Sequence, residues 1–223
     1  MNSRLRWIQF IPRNTEHNYQ LVDTLEARTD LIKLLSEQKV FCYDTETTGL
    51  DLGMVEIVGI SFSIKAHEAY YVPFPIDQDE TNSMLEEFKA LFENPEIAKV
   101  GQNIKFDILL LRWYGIEVQG RLWDTMIMHY LIEPDHKHNM NYLSETYLGY
   151  SPVPLESLLG KGVKKKITMR DVPLEKVTEY ASEDADITWQ LYQVLDEILV
   201  DELRKLYEEI EEPVIYVLAD IEY

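Results

Sequence analysis

Basic residues are scarce in this chain: 21 Lys and Arg stand against 40 Asp and Glu, a formal net charge of −19. A surface of that sign repels phosphate backbones and excludes duplex binding through a broad basic face. Cysteine is almost absent. The single Cys42 excludes an internal disulfide and a Cys-rich zinc site. It fits a reducing compartment, with the cytoplasm the expected location and Cys42 an expected core residue. Long apolar runs are missing as well. Ile57 to Ile64 and Ile108 to Leu111 fall far short of the ~18 residues a membrane span needs, and the N-terminus has no apolar signal core, so no membrane partner is expected. No internal repeat or low-complexity stretch is evident.

What is present is an ordinary globular composition, 223 residues of which 46% are apolar and 27% charged, enough for one domain with short arms at its ends. The opening predicts a strand over Tyr19–Val22 and an amphipathic helix over Leu25–Leu35, together an adaptor spanning residues 1–39. From Val40 the pattern changes. Val40–Thr47, Ile57–Ile64 and Ala69–Pro75 are β-rich runs separated by short turns, which predicts an antiparallel meander. A helix over Asn82–Phe92, a strand over Ile97–Gln102, a helix from Ile104 and a short strand at Arg121–Trp123 then imply parallel crossovers. The remainder reads as helical: Asp124–Ile132, Met140–Tyr147, and Leu174 to the end with an interruption at Pro213. The expected fold is α/β, a five-stranded mixed sheet flanked by helices. Residues 40–202 form the main domain, and 203–223 lead toward a further domain of a longer natural chain.

Three local patterns carry chemistry: Asp44-Thr45-Glu46, Asn103-x-x-x-Asp107, and Tyr180-x-x-x-Asp184. Spacing alone does not distinguish them, because Asp-x-Glu recurs at Asp220–Glu222 and Tyr-x-x-x-Asp recurs at Tyr19, Tyr192 and Tyr216. Context does. Period 2 along a strand puts Asp44 and Glu46 on one face near its carboxyl end, where α/β folds form clefts. Phe41, Cys42 and Tyr43 before them are apolar, so the pair emerges from a buried strand and is desolvated unless a cation or proton compensates. At ~4 Å and an effective dielectric near 20, two like charges repel by about 4 kcal/mol. Tyr180 and Asp184, one helical turn apart, project together. Hard oxygen ligands favour magnesium or manganese over zinc.

In this order the patterns resemble the three motifs of the DEDDy exonuclease superfamily. With Val100–Asp107, Trp123–Met126, His138–Leu143, Gly160–Gly162 and Tyr180–Asp186, they resemble more closely the 3′→5′ proofreading exonuclease domain of bacterial family A DNA polymerases, over roughly Val40 to Ile198. The resemblance implies a ribonuclease H-like fold and a metal-dependent hydrolase that removes mispaired 3′-terminal nucleotides from DNA as 5′-monophosphates. It implies two divalent cations, Mg or Mn, with Asp44, Glu46 and Asp184 on the first, Asp44 and Asp107 on the second, and Tyr180 orienting the attacking water. Two cations about 4 Å apart suit an in-line displacement. The resemblance also assigns contacts with a single-stranded or frayed 3′ end to Thr45, Leu50, Gln102 and Asn103, and it places a polymerase domain in cis. One departure is Leu155, which falls where some relatives carry an aromatic that grips DNA and where stacking is therefore expected to be weaker.

Two other functions fit the same motifs: a DEDDy exoribonuclease, and a vestigial, non-catalytic spacer domain. Asp124 and Asp186 are expected to be caps or hydrogen-bonding partners, and His129, His136 and His138 a solvated loop. The lysines at 161 and 164–166 either contact single-stranded backbone or form a solvated loop.

Overall fold

The computed structural model describes residues 16–159 and 167–223. Strand β1 (Asn18–Leu21) and helix α1 (Leu25–Ser36) precede the meander β2 (Val40–Thr47), β3 (Ile57–Lys65) and β4 (Glu68–Pro73). Helix α2 (Gln78–Phe92), β5 (Ala98–Gly101), α3 (Lys105–Trp113), β6 (Leu122–Asp124) and α4 (Thr125–Ile132) follow. α5 (Met140–Leu143) runs into a π-type turn over Ser144–Leu148, and α6 (Leu155–Leu159) and a 3₁₀ turn (Met169–Asp171) lead to the long α7 (Leu174–Ile198). α8 (Asp201–Leu206), a second π-type turn (Tyr207–Glu211) and α9 (Glu212–Glu222) close the chain.

The sheet order is β1-β4-β3-β2-β5-β6. The meander pairs antiparallel, while β1, β5 and β6 pair parallel to their neighbours. The expected mixed α/β sheet is therefore present with six strands instead of five. The extra strand is the one read as an adaptor: β1 lies beside β4, Tyr19 opposite Ala69. It is short and mostly exposed, which is how an edge strand reads when its partner is distant in sequence.

The two faces of β2 serve different layers. Phe41 and Tyr43 join Phe62 and Val72 in the principal core with Leu35 of α1, Phe88 and Phe92 of α2 and Ile108 of α3. Cys42, buried as expected, lies on the opposite face in a second cluster with Trp189 of α7 and Met128 of α4. Close approach on that face depends on Gly59, paired with Glu46, where an added Cβ would lie 2.2 Å from the Tyr71 hydroxyl oxygen.

Several helix readings differ from expectation for local reasons. α2 starts earlier because the Asp77 side chain caps the Glu80 N–H at 3.0 Å. α7 stops at Ile198, where Leu199 turns extended. Pro213 does not break the final helix. It falls in the first turn of α9, directly after a π-type turn, where its missing N–H is tolerated.

Candidate active site

β2 carries Asp44 and Glu46 on the face that meets α7, and the middle of α7 brings Asp184 to them. One oxygen from each of the three lies within 4.8 Å of the others. Asp107 arrives from the opposite helical layer, on the first turn of α3. One of its oxygens accepts the Thr45 backbone N–H at 3.1 Å and also the Thr45 hydroxyl. Tyr180 sits one turn before Asp184 and hydrogen-bonds to it. All of these, with Thr45, Leu50, Gln102 and Asn103, line one cavity of about 480 Å³. Every site residue expected from the sequence is thus gathered in one place.

The turn that delivers Asp107 is built on Asp124. Its carboxylate accepts the N–H groups of Asn103 (3.1 Å), Ile104 (2.9 Å) and Met126 (2.9 Å), which fixes Asn103 in the left-handed region at φ 58°, a conformation Asn tolerates. Asp124 is therefore a cap, and burial raises its pKa to about 6 against those backbone bonds. Asp186 is likewise structural. It takes the Tyr19 hydroxyl and the His67 N–H, each at 2.8 Å, and so holds β1 and the β3–β4 turn to α7.

Burial dominates the electrostatics of the cluster. It pushes the Asp44 carboxyl up to about 7. Glu46 is raised well above the usual carboxylate range by burial and then by the charges of Asp44, Asp184 and Asp107. Asp184 and Asp107 are raised by burial and by Asp44, with the Tyr180 and Thr45 hydrogen bonds pulling the other way. Burial and the surrounding carboxylates hold the Tyr180 phenol far above its ordinary value, so it stays protonated. Among the described residues no arginine lines the group. Arg170 instead donates to the carbonyls of Phe74 (2.5 Å) and Ile57 (2.6 Å).

These residues fit divalent cations. Their donors are hard carboxylate oxygens, and one of them, Asp184 Oδ1, is buried with no hydrogen-bond partner among the described residues, a costly condition unless a cation compensates. Among the described residues no Lys or Arg lines the cavity. The lysines at 161 and 164–166, and Gly160–Gly162, lie outside the described residues.

The residues expected to touch substrate differ in how free they are. Leu50 is 86% exposed at the cavity rim. Both ends of the Gln102 amide are occupied: its oxygen accepts from the Thr125 hydroxyl and its nitrogen donates to the His138 carbonyl at 2.8 Å. Leu155 lies in the wall with Leu159, Ile167 and Met169, of which the last three were not expected; their only signal was apolar character in a polar stretch. The histidine loop is not simply solvated. His129 is buried on α4 with its Nδ1 2.7 Å from that of His138, and burial lowers its pKa to about 4. His136 keeps a partly exposed position against Tyr142.

Comparison with known proteins agrees with this geometry. Residues 19–200 match a 3′-5′ exonuclease family. DNA polymerase I of Pseudomonas aeruginosa is 35% identical over 222 residues, 95% of this chain, and that of Borreliella burgdorferi is 36% identical over 209 residues, 92% of it. The chain spans only 24% and 22% of those two proteins. Among solved structures, Brucella melitensis NrnC superposes with a TM-score of 0.70 at 17% identity, covering 92% of both chains. The catalytic core of Trypanosoma brucei RRP6 superposes at 0.68 and 18%, covering 90% of this chain and 54% of that one. These two likenesses establish the ribonuclease H-like fold.

Proposed function

This chain belongs to the 3′-5′ exonuclease family, and from that premise we propose that it removes nucleotides singly from a single-stranded or frayed DNA 3′ end as 5′-monophosphates. It does so as the proofreading part of a DNA polymerase I, with β1 and α1 built into the same nuclease unit as residues 40–202 in place of the separate 1–39 adaptor expected from the sequence, and 203–223 leading toward a polymerase domain on the same natural chain. The longer DNA polymerase I relatives support that arrangement. A cytoplasmic location belongs to the same reading; no described helix is long and apolar enough to cross a membrane.

Asp44, Glu46 and Asp184 are the residues to hold one divalent cation, and Asp44 with Asp107 a second, either magnesium or manganese. When bound, such cations supply positive charge against the carboxylates and the phosphate and make nearby water more acidic. Tyr180 remains a phenol, so it orients the attacking water by hydrogen bonding and does not take its proton. The water oxygen joins phosphorus, the bond to the 3′ oxygen breaks, and the shortened strand keeps a 3′-hydroxyl. Leu50 presses on the terminal base without reading its identity, as an apolar contact does. Asn103 lies at the rim for the strand. Gln102, its amide already engaged, shapes the cavity beside Thr125, and Thr45 holds Asp107 in place.

The single observation that carries this reading is the buried oxygen of Asp184, without a partner among the described residues, beside three further carboxylates. Their retention together with Tyr180 argues against a vestigial spacer. The test is digestion of 5′-labelled single-stranded DNA with magnesium or manganese, with a chelator control and an RNA strand of the same sequence alongside. Stepwise shortening that needs metal supports the proposal. Absence of cleavage, or a marked preference for RNA, overturns it.

A further inference from the structure

Besides the carboxylates, the cavity is lined by an apolar wall: Leu155 and Leu159 from α6, then Ile167 and Met169. This wall has little of its own to fix it. α6 is five residues long, and the segment leading into it contains Pro152 and Pro154, neither of which has an N–H to give. Val153 supplies the one backbone donor between them.

That donor is taken by Glu183. Its Oε2 accepts the Val153 N–H at 2.8 Å, and its Oε1 accepts the Tyr150 hydroxyl. Glu183 is 5% exposed, and burial raises its pKa. A carboxylate buried at that cost is kept by good hydrogen bonds. At the wall's other end the Arg170 guanidinium ties the Met169–Asp171 turn to the carbonyls of Ile57 and Phe74. Glu183 and Asp184 are neighbours in sequence, yet successive helical residues point about 100° apart. Asp184 therefore faces β2 while Glu183 faces the Tyr150–Val153 segment.

We propose that Glu183 is a positioning residue for the substrate wall: by gripping Tyr150 and Val153 it sets how far Leu155 and Leu159 stand from the carboxylates, and so how tightly the strand is held. It acts on affinity and leaves the metal ligands unaltered. The inference rests on the exonuclease reading above for its kinetic consequence, and on the hydrogen bonds alone for its structural one.

The test compares the wild-type chain with Glu183→Leu, Glu183→Gln and Tyr150→Phe. Three quantities are measured: KM and kcat on single-stranded DNA, the manganese concentration at half-maximal rate, and amide hydrogen exchange over residues 153–159. Glu183→Leu is expected to raise KM about tenfold, the scale of one lost base contact. Exchange over 153–159 should accelerate, while kcat and the manganese midpoint stay within about twofold. Glu183→Gln keeps an acceptor for Val153 and should recover most of the affinity. Tyr150→Phe removes one donor and should raise KM about threefold, so it carries the test even where Glu183→Leu fails to fold.

A fall in kcat with a displaced manganese midpoint would assign Glu183 to Asp184 instead of the wall and overturn the proposal, as would unchanged KM and exchange. Wild-type chain inactive on every strand would defeat the exonuclease reading. In that event unaltered exchange in the Glu183 variants would still reject the tether, and accelerated exchange would uphold it.

Discussion

Thr45 gives both its backbone N–H and its hydroxyl to a single oxygen of Asp107. The pairing joins β2 to α3 across the sheet's end, and it explains why Asp107 reaches the cavity although it belongs to the layer opposite α7. Thr45 was expected to touch substrate; its side chain is committed to orienting a carboxylate. Replacing it by Val keeps the shape and deletes the hydroxyl. We expect Thr45→Val to lose roughly 10- to 100-fold in rate, the usual effect of removing a ligand-orienting partner, and Thr45→Ser to lose much less. Steady-state rates on single-stranded DNA decide; equal losses in both variants would mean that the hydroxyl is not what matters.

Removing a carboxylate should separate activity from stability. Asp44→Asn or Asp184→Asn is expected to lower the rate by roughly 10³-fold or more, several kcal/mol of transition-state stabilisation. Without metal the same changes relieve repulsion among buried acids, so the thermal midpoint should rise or hold. A variant that is both inactive and clearly less stable in chelator would point to misfolding as the cause.

The raised carboxyls also fix the sign of the pH dependence. Asp44 titrates near 7 in the folded chain and near 3.9 when unfolded, so between these values the native state binds more protons. Its contribution is fully present below pH ~4 and is lost as pH rises through about 7. Metal-free protein should therefore melt at least about 4 °C higher at pH 5.5 than at pH 8, and Asp44→Asn should reduce that difference, the remainder coming from the other buried carboxyls. Added manganese should stabilise more at pH 8 than at pH 5.5, because cations and protons compete for the same oxygens. Scanning calorimetry in both buffers, with and without manganese, measures both trends.

Binding of the strand should depend on cations almost completely. The cavity is lined by acids, neutral polar groups and apolar side chains, with no Lys or Arg among the described residues, on a chain of net charge −19. Fluorescence anisotropy of a labelled single strand should fall to its free value on chelation and return with calcium or manganese. Retained anisotropy in chelator would place the main contact elsewhere.

Asp186 offers a structural control. Asp186→Ala removes acceptors from Tyr19, His67 and Gln190, which should cost about 2–4 kcal/mol in unfolding free energy. The expected effect on kcat is small, since none of those groups lines the cavity. Urea denaturation and a rate measurement on the same preparation test the two halves.

Much of this was legible in the residues. The meander showed itself through β-branched and aromatic runs between short turns, and Asp44 with Glu46 through alternation out of an apolar strand. What stayed hidden depends on partners far away in sequence. β1 looked detached because its neighbour, β4, lies some fifty residues on and its clamp, Asp186, further still. Gln102 looked available because the hydroxyl and carbonyl that occupy its amide, Thr125 and His138, belong to later elements. His129 looked solvated because nothing in its spacing reveals that His138 folds back on it.

One stretch of α7, Glu183-Asp184-x-Asp186, sends three acids to three destinations: a wall, a cluster and an edge strand. Each direction is set by angular position on a single rigid rod. A residue inserted just upstream would turn all three by about 100° at once, so this segment is a keystone in which length matters as much as composition.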